Sequence, residues 1–388
     1  MPKGFLFSTA EAAIKKPGRK DLALIYSVTE ANIAGTFTTN KIKAAPVKVD
    51  IRKIRSGKGQ GIIINSGNAN ACTGEKGLQD VKEMINLVAR GLRINPSLVY
   101  ACSTGVIGCP MPMDRLRPQI PVLLENLGKS TIEDVAKAIM TTDTFPKIVK
   151  KRVTVGNKAG NIIGICKGAG MIWPHMATML CFVMTDVAVE KETLNDLMIE
   201  AVERSFNKIT VDGDRSTNDT ALIMANGTLG NRPITGKSSV SFKNALNEVT
   251  YELSKMIVKD GEGATKLVRI KVKGAASVKE AEKAAFTVAN SNLVKTAIYG
   301  NDANWGRIMA ALGYSGVKIK ENKTDIYVGN IKIVSKGIGT FRDEEATRAF
   351  RNKEVNIVID LHNGRSSSKV LTCDLSEDYV RLNAAYKT

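Results

Sequence analysis

The run Met179–Val189, MLCFVMTDVAV, constrains the fold more than any other stretch. It is too apolar and too rich in branched side chains for a surface, so it reads as a strand buried on both faces. Such a strand needs one layer above it and another below. Upstream, NIIGICKG (161–168) reads as a second strand, joined to the first by a glycine-rich turn. Downstream, the periodicity predicts a helix from Glu190 to Phe206, with Leu194, Leu197, Met198, Ala201 and Val202 as its inner stripe.

The rest of the chain follows the same grammar. LALIYSV (22–28) reads as a buried strand, and GIIINSGNANACTG (61–74) as a short strand entering a glycine- and asparagine-rich loop. Helices are predicted over 78–92, with Val81, Met84, Ile85, Val88 and Leu92 on one face, and over 132–140. STGVIGCPMP (103–112) reads as a tight loop. LVRIKVKG (267–274) alternates strictly, as a half-exposed strand does. Ser277 and Glu280 have the spacing of a capping box for a helix through Phe286. The last hundred residues alternate strands (DIYVGN, IKIVS, VNIVIDL) with short helices. At 388 residues the chain exceeds what one core usually supports, so one large or two interlocked domains are expected. The mixed pattern with several hairpins indicates a layered α/β (α+β) sandwich rather than a doubly wound parallel sheet.

Composition removes several classes of function. Lysine and arginine number 56 against 38 acids, an excess that raises the prospect of nucleic-acid binding. The charge is diffuse, however. Its densest stretch, KIKAAPVKVDIRKIRSGKG, is broken by apolar residues at strand-like spacing and lacks the stacking aromatics of single-strand binders. The longest apolar stretch, Met171–Met184, is interrupted by Pro174, His175 and Thr178, and falls short of the roughly 20 residues a bilayer requires. The first 20 residues lack the apolar core of a secretory leader, so a cytoplasmic protein without membrane or nucleic-acid partners is expected. The six cysteines form no CxxC pair, and four lie inside apolar strings as free thiols would. Only two histidines are present, 175 and 362, so no metal site is expected and nucleophilic chemistry would have to manage without a histidine base.

Six segments concentrate glycine, hydroxyl and ionisable residues: STG (103–105), TTDTFPK (141–147), KGAGMIWPHMATML (167–180), DGDRSTND (212–219), DGEGATK (260–266) and the C-terminal NAAYKT. The phosphate-loop spacing is absent from the third. What distinguishes it is Ala177-Thr178 immediately ahead of the buried strand. A small residue before such a threonine suits self-cleavage by an N→O acyl shift. Cleavage would leave Thr178 with a hydroxyl nucleophile and its own α-amine, titrating near about 7.7–8.0, as the base. Taken alone, a threonine opening a strand is usually structural. DGDRSTND loosely suggests a calcium loop, but the distal glutamate is missing, and it reads as support for the site.

Taken together, TTNKIKAAPV (38–47), NSGNANACTG (65–74), STGVIG (103–108), TTDTFPK, KGAGM…MATML, VDGDRSTNDT (211–220), DGEGATK, VKTAIYGNDANWGRI (294–308), GYSG (313–316) and LNAAYKT resemble, in order and over nearly the whole chain, the ornithine acetyltransferases (glutamate N-acetyltransferases) of arginine biosynthesis. The resemblance implies an αββα-type sandwich of the self-processing superfamily. It implies autocleavage into an α chain, 1–177, and a β chain, 178–388, interlocked in one unit and assembled as two α and two β chains. Thr178 would be the nucleophile, Thr104 and Gly105 the oxyanion-hole pair. Thr141 (with Thr142 beside it), Lys167, Thr178, Glu262, Asn383 and Thr388 would bind substrate. The implied reaction moves acetyl from N-acetylornithine to glutamate without a cofactor. Use of acetyl-CoA as a further donor depends on pocket shape, which the motifs do not encode. The sequence departs from the family pattern at Ala169, where serine is common, at His175, usually asparagine, and at Arg215, usually small or neutral. Two other readings stand beside this one: an N-terminal-nucleophile aminopeptidase or amidase of the same superfamily, and a basic nucleic-acid-binding protein.

Overall fold

The computed structural model describes residues 1–173 and 179–385, apart from the side chain of Lys237. Eight strands make the first sheet: β1 (Phe5–Ala10), β2 (Leu22–Phe37), β3 (Lys58–Asn68), β4 (Val99–Val106), β5 (Lys147–Val155), β6 (Lys158–Lys167), β7 (Leu180–Thr185) and β8 (Thr220–Ala225). Their order is β4-β3-β2-β8-β7-β6-β5, with β1 also paired to β2. The 16-residue β2 joins the two halves. Its first part pairs with β1 and β3, and Asn32–Phe37 pairs with β8. The register on β3 shifts between Tyr26 and Ala31, an irregularity of the kind that bends and twists a strand.

Around this sheet lie α1 (Ala45–Lys53), α2 (Gly74–Leu92), α3 (Met113–Glu125), α4 (Ile132–Ala138), α5 (Lys191–Arg204) and α6 (Val240–Lys259). Because successive strand residues face opposite ways, each strand feeds two cores. Leu22, Leu24, Ile63 and Ala101 point outward against Val81, Met84 and Val88 of α2 and Leu116 and Ile120 of α3. Cys181, Val183, Ala221 and Ile223 point outward against Leu194 and Met198 of α5 and Phe242, Leu246 and Val249 of α6. Their alternates face inward: Ile25, Ile62 and Ile64 share one buried cluster with Ile163, Phe182, Met184 and Leu222. The result is helix, sheet half, sheet half, helix, the expected sandwich. All six residues of β7 are buried, as the doubly apolar run requires.

A second sheet follows: β9 (Leu267–Ala275), β10 (Asp325–Val328), β11 (Ile331–Ser335), β12 (Ile338–Gly339), β13 (Glu354–Asp360) and β14 (Ser366–Cys373), in the order β12-β11-β10-β13-β9-β14. Its core is closed by α7 (Val278–Ala289), α8 (Asn292–Tyr299), α9 (Trp305–Gly313) and α10 (Asp343–Phe350). Leu267, Leu371 and Cys373, at its root, belong instead to the core of the first sheet. A last helix, α11 (Glu377–Ala385), runs back to the loop before β8, where the Tyr379 hydroxyl donates to Asp212 Oδ2 at 3.4 Å.

The structure departs from the sequence expectations in several places. Ser103–Val106, read as loop, continues β4, because β3 offers a parallel partner as far as Asn68. The capping box at Ser277 is half formed: Ser277 Oγ accepts from Glu280 N at 3.2 Å, while Glu280 Oε2 is buried without a hydrogen-bond partner among the described residues. Finally, β5, β8, α1, α3 and α6 have no counterpart in the expectations, and Ala45–Lys53, whose apolar residues are spaced as in a strand, is the helix α1, with Pro46 in its first turn. In α3 two internal prolines, Pro118 and Pro121, mask a regular stripe of Met113, Leu116, Ile120 and Leu123. Four cysteines (102, 166, 181 and 373) are buried free thiols, as expected, and Cys72 and Cys109 are exposed.

Candidate active site

Beyond the ends of β4 and β6, stretches from across the chain close around a cleft of about 80 Å³. Thr104, Gly105, Thr141, Thr142, Lys167, Glu262 and Asn383 all line it, so the described residues singled out in the sequence are brought together. Ala177, Thr178 and Thr388 lie outside the described residues, as does His175.

One wall is the junction of β3 and β4. Gly105 sits at φ +137°, and a Cβ there would come within 2.2 Å of the Gly67 carbonyl carbon and 2.5 Å of Asn68 N. Only glycine allows the two backbones to approach so closely. Thr104, directly before it, is buried. Asn218 locks this wall from behind. Its Nδ2 donates to Ala69 O at 2.6 Å and to Ser103 O at 2.8 Å, tying the loop after β3 to the end of β4.

The floor is a dry network of charges. Lys147, fully buried, places Nζ 2.7 Å from Asp143 Oδ1 and 2.5 Å from Asp260 Oδ2. Lys167 Nζ stands 3.9 Å from the other oxygen of Asp143. Burial raises the Asp143 pKa, but the Lys167 and Lys147 ammoniums outweigh it and hold the carboxyl at about 2. Burial lowers the pKa of Lys167, and Asp143 offsets part of that effect. For Lys147 the balance is reversed: the carboxylates, Asp143 first, more than recover what burial takes away. The same carboxylates shape the backbone. Asp143 accepts from Gly168 N at 2.7 Å and Thr141 N at 3.0 Å, and Asp260 accepts from Thr144 N at 3.0 Å. Thr141 and Lys167 are therefore presented by a common buried anchor. A cation there can hold a substrate carboxylate.

The opposite rim joins Glu262 to the chain's end. Asn383 of α11 donates from Nδ2 to Glu262 Oε2 at 2.8 Å, and Glu262 N bonds to Ala169 O at 2.9 Å. Gly170 makes room for this carboxylate, since a Cβ there would meet Glu262 Oε2 at 2.5 Å. Asn383 is thus tied down, as a role in the site demands, and the carboxylate is placed to meet an ammonium group. Ala169, the small residue at the serine position, is buried beneath this contact.

In sequence, 212–219 reads as support for the site rather than as its lining. In fact Ser216, Thr217 and Asn218 line the cleft. Asp219 is wholly buried, and desolvation pushes its pKa up to about 8. Arg215 turns away: with Trp173 and Phe286, whose rings lie 5.7 Å apart, it borders a neighbouring groove. Asp143 and Lys147 lie within TTDTFPK and Asp260 opens DGEGATK, where nothing local sets them apart as a buried floor save an acid and a base four apart in TTDTFPK.

Comparison with known proteins agrees with this arrangement. Residues 6–388 match the ArgJ family. The arginine biosynthesis bifunctional protein ArgJ of Geobacter sulfurreducens is 52% identical over 391 residues, covering 100% of this chain and 99% of that protein. Its counterpart from Caldanaerobacter subterraneus is 48% identical, covering 100% and 98%. In a crystal structure of the ArgJ protein of Bacillus halodurans, one chain is 43% identical with a TM-score of 0.51, covering 53% of this chain and 98% of that one. With a motif order, a cleft and a full-length match in agreement, this chain belongs to the ArgJ family.

Proposed function

We propose that the chain is a self-processing acyltransferase of arginine biosynthesis, carrying acetyl from N2-acetylornithine to glutamate through an acetyl ester on Thr178. The observation that carries this reading is the convergence, in one cleft, of a candidate oxyanion wall (Thr104, Gly105), a buried cation (Lys167) and an anchored carboxylate (Glu262 with Asn383). The relatives' names place those proteins in arginine biosynthesis.

Processing comes first. Thr178 Oγ attacks the Ala177 carbonyl carbon, the C–N bond breaks, and the hydroxyl proton ends on the freed α-amine. Water then hydrolyses the ester and leaves Ala177 as a carboxylate. β6 ends before this point and β7 begins after it, yet they pair with each other, and β2 pairs with β8. The α chain (1–177) and β chain (178–388) would therefore stay interlocked through one sheet. The Bacillus halodurans chain, matched almost completely by about half of this one, has the length of one product.

In transfer, Thr178 Oγ attacks the acetamide of acetylornithine while its α-amine takes the hydroxyl proton. The Thr104 and Gly105 donors stabilise the oxyanion, a contribution of about 10²–10³ in kcat for such donors. The C–N bond breaks, the departing amine of ornithine recovers the proton, and the acetyl group stays on Thr178. Glutamate then attacks the ester and restores the hydroxyl. Lys167 holds the α-carboxylate common to both substrates, Glu262 and Asn383 hold an amine, and Thr141 and Thr388 complete the pocket. No cofactor is needed, because the chain itself stores the acyl group. Whether acetyl-CoA also charges Thr178 is read from the acetylated β-chain mass after incubation with it. An assembly of two α and two β chains is tested by the mass of the native particle.

The deciding experiment is a denaturing mass spectrum of wild type beside Thr178→Ala, with a transferase assay. Fragments 1–177 and 178–388 in wild type, an intact inactive chain in the variant, and glutamate-dependent release of ornithine are expected. Substantial transfer by Thr178→Ala would overturn the mechanism. Acetate release without glutamate would favour the amidase reading instead.

A further inference from the structure

We infer that residues 211–220 clamp both shoulders of the 173–178 stretch, with Asp212 and Asp219 as positioning residues for cleavage at Ala177–Thr178. The inference rests on the self-processing reading above and gives it a mechanical basis.

The grip is nearly symmetrical. Upstream of the stretch, Ile172 is held at both backbone groups: its N–H donates to Asp212 Oδ1 at 2.9 Å, and its carbonyl accepts from Val211 N at 3.0 Å. The neighbouring Met171 N donates to Asp212 Oδ2 at 2.6 Å. Downstream, Met179 is held in the same way. Its N–H donates to Asp219 Oδ1 at 3.0 Å, and its carbonyl accepts from Thr220 N at 3.1 Å. Both side chains, Ile172 and Met179, are sunk in the core, so neither shoulder can slide. The Met179 N–H belongs to the peptide that Thr178 itself makes.

The clamp is fixed to the frame of the first sheet. Thr38 N, just past β2, donates to Asp219 O at 3.0 Å, Thr38 Oγ1 to Ser216 O at 2.8 Å, and Ala44 N, at the start of α1, to Thr217 O at 2.9 Å. Asp219 is also a costly residue to keep. It is wholly buried, and Oδ2 has no hydrogen-bond partner among the described residues. Buried polar atoms are normally paired, and an exception calls for a reason. An N→O shift supplies one. The hydroxyl must reach the carbonyl carbon across its own peptide, and that contorted approach persists only where the surroundings over-determine it. Two carboxylates seven positions apart on one anchored loop, each bonded to an amide on one side of the scissile stretch, provide that constraint.

The test follows processing of the full chain over time by denaturing mass spectrometry, alongside thermal melts. The samples are wild type, Asp212→Ala, Asp212→Asn, Asp219→Ala, Asp219→Asn, and Ile357→Ala as a destabilised control in the separate core of the second sheet. Each Asp→Ala variant should process at least about ten-fold more slowly. Each Asn variant, which keeps an acceptor oxygen, should recover most of the rate, and Ile357→Ala should process normally despite a lower melting point. Asp212 is only half-buried, so it still reports should Asp219→Ala fail to fold. Wild-type rates in the Asp→Ala variants, or equal slowing in Ile357→Ala, would overturn the clamp. A wild-type chain that never processes would overturn the function reading and the clamp with it.

Discussion

Two clusters of charge in this molecule reach the same acidity by opposite routes. At the floor of the cleft, Asp143, Lys147 and Asp260 are almost completely out of water, with side-chain exposures of 0%, 0% and 2%. At the root of the second sheet, Glu354 meets Lys259 and Arg269 at 2.6 Å each with its side chain 36% exposed. Both acids titrate at about 2. Glu354 arrives there through hydrogen bonds from Lys259 and Arg269. Asp143 arrives there against its own desolvation, on the strength of two ammoniums. Where water can stand in for a lost partner, a counterion is optional. Where it cannot, the counterion is obligatory.

The largest test of this contrast is Lys147→Met. Removing one member of a buried network leaves uncompensated carboxylates, at a cost of about 3–5 kcal/mol. Urea denaturation should show it, and a cost below about 1 kcal/mol would put the floor on the same footing as the surface.

An intermediate effect lies behind the cleft, where two buried aspartates pull in opposite directions with pH. Asp143 is depressed below its unfolded value near about 3.9, so its stabilisation is present above that value and drains as pH falls toward about 2. Asp219 is raised to about 8, so its stabilisation is full below about 3.9 and is lost as pH climbs through about 8. Measured from pH 5 to pH 8, wild type should therefore lose stability relative to Asp219→Asn. A constant difference would mean that Asp219 ionises as an ordinary carboxylate.

The smallest effect belongs to the second sheet. Glu354→Gln should cost less than about 1 kcal/mol, and the loss should shrink in high salt, because exposed pairs are screened. A cost near that of Lys147→Met would erase the distinction between the two clusters.

Much of the fold was legible in the sequence. The helix predicted from Glu190 to Phe206 spans Lys191–Arg204, with Glu190 accepting from Thr193 N at 2.9 Å as its cap. The helix predicted from Leu78 begins one turn earlier, at Gly74, where a left-handed glycine opens it. Helix α6 carries an equally regular stripe of Phe242, Leu246, Val249, Leu253 and Ile257, so its helical period is legible in the sequence too. The prolines of α3 gave misleading punctuation. In the site, Thr104, Gly105, Thr141, Lys167, Glu262 and Asn383 were picked out by motif, and each lines the cleft. Asn218, Asp143, Lys147 and Asp260 were not. A polar residue next to a glycine or within a turn looks the same in sequence whether it faces water or anchors a floor.

The sequence by itself determined the periods, the caps and the order of the motifs, because these depend on neighbours within a few positions along the chain. Only the tertiary structure decided which charges lost their water and which glycine had to lack a Cβ. It also decided that the loop carrying Asp212 and Asp219 would reach both sides of one short stretch. Those outcomes turn on distances between residues tens to hundreds of positions apart, such as Lys147 and Asp260 or Gly67 and Gly105. Desolvation and steric exclusion act through space, and no local pattern of residues records them.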